Sequence, residues 1–187
     1  MNADSSTAIT LCTPPSAKSG SIATWRRYVV PACLLGCIIA LGLFALGIYF
    51  SRSPGLFDVN AKAAAKANVE PNELKRGYYT ASAIYHVGDT LLSKPGGYLT
   101  NDIMPPSAIQ DNMPSWEFGV ITELRDAVRS LRNDFSRAQT QSVEDRDLME
   151  ADSSFHFDHD RLMLPSTEDE YRNGLASLAR YLQRLQN

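Results

Sequence analysis

An uncharged run of 23 residues, from Tyr28 to Phe50, limits what this chain can fold into more than any other feature. As an α-helix rising about 1.5 Å per residue, it would be about 34 Å long, enough to cross the hydrocarbon core of a bilayer. Only a helix satisfies all the backbone hydrogen bonds of such a segment in lipid. Trp25 and the Arg26–Arg27 pair precede the run and Pro54 follows it, as is typical of interfacial anchors and helix ends.

Three other interpretations of the run fit less well. A cleaved signal peptide has an apolar region of about 7–15 residues and a small-residue cleavage site, whereas this run is longer and no A-x-A pattern follows it. The motif Leu34-Leu35-Gly36-Cys37 resembles a lipoprotein site, but 13 further uncharged residues follow the cysteine. A buried helix of a soluble fold rarely has 18 or more consecutive apolar residues. We therefore predict an uncleaved transmembrane anchor over residues 25–53.

The flanking charges predict the orientation of this anchor. Lys18 and the Arg26–Arg27 pair precede it, and Arg52 follows it. Because basic residues accumulate on the cytoplasmic side of a span, the bias places the N-terminus in the cytoplasm. Residues 1–24 are rich in Ser, Thr, Ala and Pro, so we predict a disordered cytoplasmic tail there.

The residues after the anchor form one acidic domain, which we take as residues 54–187. Three basic residues and one acidic residue precede the run, so 15 basic and 20 acidic residues follow it, a formal charge of −5. This charge argues against nucleic acid as a partner. The three cysteines, Cys12, Cys33 and Cys37, all precede residue 51, so the domain forms no internal disulfide in any compartment.

Four segments of the domain have helical patterns, and strand patterns are scarce. Asn60–Val69 is alanine-rich and predicts a short helix. A second helix is expected from Pro71 to Ser93, because proline suits a first helical turn and Pro95-Gly96-Gly97 ends the pattern. A third helix is expected to have its N-cap at Ser115. A fourth is expected to begin at Ser166 or Thr167, with Thr167 and Glu170 as a capping box.

The third and fourth of these helices each have an apolar stripe on one face. The stripe members in the third are Phe118, Ile121, Leu124, Val128, Leu131 and Phe135, and those in the fourth are Tyr171, Leu175, Leu178, Leu182 and Leu185. Such stripes have to be buried against other elements. The sequence therefore predicts an all-α chain, with one transmembrane helix and a bundle-like helical domain.

Two long connections are predicted to be ordered loops of this domain. Residues 94–114 contain four prolines, together with a tyrosine and aliphatic side chains that can pack on the helices. Residues 139–165 contain an acidic stretch from Glu144 to Asp160, with seven acidic residues and one arginine. We expect that stretch to be a solvated loop, held to the helices by Phe155 and Phe157.

The only concentration of metal-ligand residues is at His156, Asp158, His159 and Asp160. These side chains suit zinc or a similar ion, but the two histidines share a face only if the segment is helical. The acidic stretch also begins like a calcium loop at Asp145 and Asp147, but Glu150 stands where that loop requires glycine. No H-E-x-x-H, nucleophile-elbow or phosphate-loop motif is present. We therefore predict no cofactor, and keep His156–Asp160 as the candidate metal site.

Small residues in the predicted span suggest a packing face. Ala32, Gly36 and Ala40 recur every four residues, so they lie on one side of a helix. Small side chains at this spacing let two membrane helices approach closely. We therefore expect this face to pair with a second copy or with another membrane helix.

Several segments resemble one bacterial family. The segments GDTLLSKPGGYLTND, DNMPSWEFGV, LRNDFSRAQTQSVEDRDL and LPSTEDEYRNGL are similar to single-pass membrane proteins of Gram-negative bacteria (domain of unknown function 2333), from Leu56 to the C-terminus. The resemblance implies an inner-membrane anchor with the main domain in the periplasm, and it implies no activity or site residue. It also implies that typical members continue past the position of Asn187, so we expect this chain to be shorter than they are.

Two classes of function follow from these observations. The first is a membrane-anchored, non-enzymatic helical interaction or scaffold module of the cell envelope, with the lipid bilayer and a protein partner or second copy as its contacts. The second is a metal-binding protein or metal-dependent hydrolase that uses His156–Asp160. The first class is favoured, because no tight catalytic constellation is present in the sequence.

Overall fold

The computed structural model describes residues 20–135 and 144–187 and divides the chain into two compact units, residues 1–41 and 42–187. Residues 1–19 of the predicted tail lie outside the described residues. The described ranges contain no β-strand, which confirms the all-α prediction. Their α-helices are α1 (Gly20–Phe50), α2 (Val59–Ala67), α3 (Tyr78–Ser93), α4 (Asn112–Ser130), α5 (Arg146–Phe155) and α6 (Thr167–Gln186).

Helix α1 contains the predicted span. Its segment Trp25–Phe50 is long and apolar enough to cross a membrane, and none of its most apolar window is buried by protein. A helix of this kind near the N-terminus is compatible with a membrane anchor and with a signal sequence. Its last nine residues, Gly42–Phe50, belong to the second unit.

The second unit has one core between four helices. Helices α3 and α5 each pack against both α4 and α6, which places α4 and α6 on opposite sides of a shared interior. Helix α2 packs on α3. The two predicted stripes meet in this interior, and the buried side chains that fill it include Leu91, Ile121, Leu124, Val128, Leu148, Phe155, Tyr171, Leu178 and Leu182. Burial of these stripes is the main force that holds the helices together.

The predicted stripe on α4 is correct from Ile121 onward and wrong at Phe118. Ile121, Leu124, Val128 and Leu131 are buried, whereas Phe118 is 48% exposed. The buried row continues backward through Glu117 and Met113 instead. A charged residue can occupy that row because Lys94 is paired with it. The side chain of Phe135 lies outside the described residues.

The predicted helix from Pro71 to Ser93 begins later than expected. Pro71–Glu73 is a single 3-10 turn, and α3 begins only at Tyr78. Gly77 precedes it with φ of +83°, in the left-handed region that other residues rarely adopt. This backbone conformation separates the turn at Pro71–Glu73 from α3, although the spacing of apolar side chains suggested one continuous helix.

Two predicted helix starts also differ from the structure. Helix α4 begins three residues before Ser115, at Asn112, because Pro114 fits a first helical turn where no N–H is needed. Helix α6 has Ser166 as its N-cap, with the side-chain oxygen accepting from the backbone N–H of Asp169. The predicted capping box at Thr167 is wrong, because the hydroxyl of that residue is buried and bonds the preceding loop.

The acidic stretch is a helix and not a solvated loop. Helix α5 lies inside it, and Asp145 accepts hydrogen bonds from two backbone N–H groups as its N-cap. Leu148, Ala151, Asp152 and Phe155 are buried at the spacing of one helical face. This spacing is present in the sequence, but the seven acidic residues obscured it. After α5 the loop prediction holds for residues 157–165, and residues 136–143 lie outside the described residues.

Arginines of the neighbouring helices neutralise this acidic helix. On α6, Arg180 Nε lies 2.9 Å from Asp147 Oδ1, and Arg184 Nη2 lies 2.8 Å from Asp145 Oδ1. After α4, Arg132 Nη1 lies 2.7 Å from Asp152 Oδ2. Burial alone would raise the pKa of Asp147, but the hydrogen bonds and charges of Arg180 and Arg184 outweigh it and lower that pKa.

Replacement of Asp147 by Asn should therefore destabilise the chain in a pH-dependent way. A carboxyl group whose pKa is lowered by folding stabilises the folded state above its unfolded pKa, and this contribution disappears as the pH falls through the folded pKa. We expect Asp147→Asn to lower the melting temperature of the full chain in detergent at pH 7. The difference from the wild type should shrink below pH 3.8, the ordinary value for this group.

The exposed Asp126 on α4 provides the control. Asp126→Asn should leave the melting temperature nearly unchanged at both pH values. A difference between Asp147→Asn and the wild type that is the same at pH 7 and pH 3 would contradict this account of the network.

Candidate functional site

The residues of the candidate metal site lie at the end of α5 and between α5 and α6. His156 is the C-cap of α5, and residues 157–166 lead back to the start of α6. His159 packs its ring against Phe118, with the ring centroids 5.1 Å apart. Asp158 and Asp160 are exposed, and the backbone oxygen of Asp158 accepts a hydrogen bond from Thr167. The segment therefore has defined contacts, but its four ligand-type side chains do not converge.

Both ring nitrogens of His156 already have partners. Nδ1 lies 2.7 Å from the backbone oxygen of Asp152, and Nε2 lies 2.6 Å from Arg129 Nη2. Since a carbonyl oxygen only accepts, Nδ1 carries the proton and Nε2 accepts from the guanidinium. A cation at Nε2 would displace this bond and face the charge of Arg129. Among the described residues, no group of three or more His, Cys, Asp or Glu side chains is arranged to hold a metal ion.

A buried ion pair lies on the core-facing row of α4, at Glu117. Lys94 Nζ lies 2.5 Å from Glu117 Oε1, and both side chains are completely buried. The carboxylate also accepts from the backbone N–H groups of Leu99 and Thr100, each at 2.8 Å, and from the Thr100 hydroxyl. Lys94 Nζ donates a further bond to the backbone oxygen of Gly97. Both charges are thus compensated by bonds to the segment between Lys94 and Thr100.

This segment, residues 94–102, is called the hub loop here because it bonds to several elements. The backbone N–H of Tyr98 donates to Glu168 Oε1 of α6 at 3.0 Å, and the Tyr98 hydroxyl donates to the backbone oxygen of His159 at 2.9 Å. Burial raises the pKa of the Tyr98 hydroxyl, so it remains a donor. Asn101 Nδ2 donates to the backbone oxygen of Arg161. The hub loop therefore joins α4, α6 and the 157–166 connection.

The end of α1 packs on the same loop. The Phe50 ring is so close to Gly96 that a Cβ atom there would lie 2.9 Å from the Phe50 Cδ1 atom. Gly96 also has φ of +88°, so glycine suits it for two reasons. Further along, Gln110 Nε2 donates to the backbone oxygen of Gly47 at 2.7 Å. The last turn of the apolar helix is thus held by residues 96–110 of the second unit.

An apolar groove lies beside this junction. It has a volume of about 360 Å³ and is lined mainly by apolar side chains of the segment after α1 and of α3 and α4. Its lining includes Leu56, Phe57, Val59, Val87, Trp116 and Val120. Such a surface suits nonpolar contact with a lipid or protein side chain, because it contains no converging acid, base or nucleophile.

Sequence reasoning did not identify the hub loop or its ion pair. The sequence predicts an ordered, packed loop over residues 94–114, but it gives Glu117 no partner and no place in the core. The sequence signal that could have identified the buried Glu117 is its position, four residues before Ile121, which is the spacing of the buried row on α4.

The predicted packing face of Ala32, Gly36 and Ala40 lies in the first unit, where all three residues are exposed. Its pairing stays a prediction.

The contact between Phe50 and the hub loop generates a stability prediction. We expect Phe50→Ala to lower the melting temperature of the full chain in detergent by an amount equivalent to about 1–3 kcal/mol, less than for a fully buried phenylalanine. The measurement is thermal unfolding followed by near-ultraviolet circular dichroism.

Phe44→Ala is the matched control, because Phe44 lies in the same helix and is 68% exposed. It should leave the unfolding of the second unit unchanged. If Phe50→Ala lowered the melting temperature no more than Phe44→Ala does, the end of α1 would not stabilise the domain.

Comparison with known proteins identifies one family. The family model described as "uncharacterized protein conserved in bacteria (DUF2333)" matches residues 23–187. This match starts before the resemblance noted from Leu56 onward and includes the whole apolar run. Comparison with curated proteins gives no match, and comparison with solved structures gives none either. Because the match covers most of the 187 residues, the chain belongs to this family of uncharacterized bacterial proteins, DUF2333.

Proposed function

We propose that this protein is a membrane-anchored, non-enzymatic helical interaction module of the bacterial cell envelope. The observation that carries the proposal is the packing of the end of α1 on the domain. Phe50 lies against Gly96, and Gly47 accepts a hydrogen bond from Gln110. Cleavage of a signal sequence would remove both contacts. An anchor that stays attached keeps them.

The family match supports an anchor over a signal sequence. The matched region begins at residue 23, so the apolar run belongs to the part of the chain that the family model describes. The basic residues before the run favour a cytoplasmic N-terminus. We therefore place the protein in the inner membrane as a single-pass protein, with its helical domain in the periplasm.

The apolar groove is the proposed contact for a protein partner in the envelope or a second copy of this chain. Val87 and Trp116 are each 37% exposed there, next to the side chains of Phe57 and Val120. A partner that fills the groove would remove this apolar surface from water. The alternative of a metal-dependent enzyme has less support, because Arg129 occupies the open nitrogen of His156.

A topology experiment tests the anchor. With alkaline phosphatase fused after Asn187, we expect active enzyme in the membrane fraction and a fusion mass that still includes residues 1–50. A cytoplasm-only reporter at the same position should be inactive. A mass that lacks the apolar run would indicate cleavage, and an active cytoplasmic reporter would reverse the orientation.

The same membranes test the contact. In a chain without its native cysteines, Val87→Cys carrying a photoreactive thiol reagent should form a protein adduct after illumination, because Val87 lines the groove. Met149→Cys, at an exposed position on α5, is the control and should form none. Absence of an adduct at both positions, or equal adducts at both, would argue against a partner in the groove.

A further inference from the structure

Two loops of the domain have apolar tips with little protein cover. In the loop before α4, Ile103, Met104 and Ile109 are 70%, 77% and 79% exposed. In the loop before α6, Leu162, Met163 and Leu164 are 44%, 77% and 91% exposed. Consecutive aliphatic side chains in water are unfavourable, and patches of this kind mark contact surfaces. These six residues are called the apolar tips below.

The two loops are neighbours in the fold. Asn101 Nδ2 donates to the backbone oxygen of Arg161, so the residues just before each tip are bonded to each other. The backbone N–H of Ala108 donates to the backbone oxygen of Met104, which folds the first tip back on itself. Both tips therefore lie at one end of the domain.

This end is also where α1 meets the domain. Gln110, the residue after Ile109, donates to the backbone oxygen of Gly47, one helical turn before the end of the apolar run. The ion pairs of Arg184 with Asp145 and Asp147 lie at the opposite end of α6, about 25 Å away at 1.5 Å per residue. The domain thus has an apolar end next to Gly47 in the last turns of α1, and an ion-paired end at the far end of α6.

We propose that the apolar tips insert into the lipid–water interface of the bilayer that holds α1. The inference rests on the proposed anchor, because α1 has to span for this end to face lipid. A residue bonded next to Gly47 lies at the level of the last span turn, where the interface begins. Aliphatic side chains there are removed from water by lipid, without any protein partner. The domain is then held on the membrane at three places, α1 and the two tips.

The charges near the tips indicate that this contact is apolar and not electrostatic. Arg52 and Arg161 are exposed near this end, but so are Asp102, Asp111 and Asp160. Because basic and acidic side chains are both present, this end has no excess of positive charge that would attract anionic headgroups. The contact should therefore form on zwitterionic phosphatidylcholine and persist at high salt, where surface charges are screened.

Spin-label accessibility in phosphatidylcholine vesicles tests this inference on the full chain. In a background with Cys12→Ser, Cys33→Ser and Cys37→Ser, labels are placed singly by Ile103→Cys, Met163→Cys, Met149→Cys and Phe44→Cys. Oxygen concentrates in lipid and a nickel chelate stays in water, so the ratio of the two collision rates reports lipid exposure. All four positions are exposed in the structure, so the substitutions leave the fold intact.

We expect labels at 103 and 163 to have an oxygen-to-nickel ratio several-fold above that at 149, unchanged in high salt, with the highest ratio at 44. Ratios at 103 and 163 equal to that at 149, with a lipid-like ratio at 44, would overturn the inference while the anchor stands. A water-like ratio at 44 would overturn the anchor and the inference with it. Labels at 103 and 163 that are shielded from both reagents would also overturn it, in favour of burial by protein.

Discussion

The buried ion pair between Lys94 and Glu117 is the constraint on which the organisation of this domain depends. Removing two charges from water is costly, and the cost is offset here because the carboxylate accepts bonds from Lys94, Leu99 and Thr100. These bonds fix the backbone of the hub loop against α4. Loss of one partner would leave the other charge buried and uncompensated, which typically costs about 3–5 kcal/mol.

The position of the hub loop links this local constraint to the proposed function. The loop bonds α6 through Glu168 and the 157–166 connection through His159 and Arg161, and it receives Phe50 at Gly96. A polar network inside the domain therefore positions the end of the apolar helix, the groove and the two loop tips together. The ion pairs between α5 and α6 stabilise the opposite end of α6. This asymmetry is what a module fixed beside a membrane requires.

The sequence predicted those parts of the fold that depend on apolar periodicity. The long apolar helix α1 follows from its uncharged run, and the all-α class and the stripes from Ile121 and Tyr171 onward follow from spacing, because burial of such stripes is nearly obligatory. The hub loop did not follow, since a buried Glu117 looks like a surface acid until its lysine partner, 23 positions earlier, is brought next to it. Helix α5 was missed for a related reason. Its acidic residues are paired with arginines that are distant in sequence, so its charge suggested a solvated loop.

Hydrogen exchange in Glu117→Gln tests the central role of the ion pair most directly. In the full chain in detergent, the amides of Leu99 and Thr100 donate to the Glu117 carboxylate, so they should exchange slowly in the wild type and much faster in Glu117→Gln. The melting temperature should fall together with this protection. Glu123→Gln, at an exposed position of the same helix, should change neither quantity. Unchanged protection of Leu99 and Thr100 in Glu117→Gln, with unchanged stability, would contradict the account.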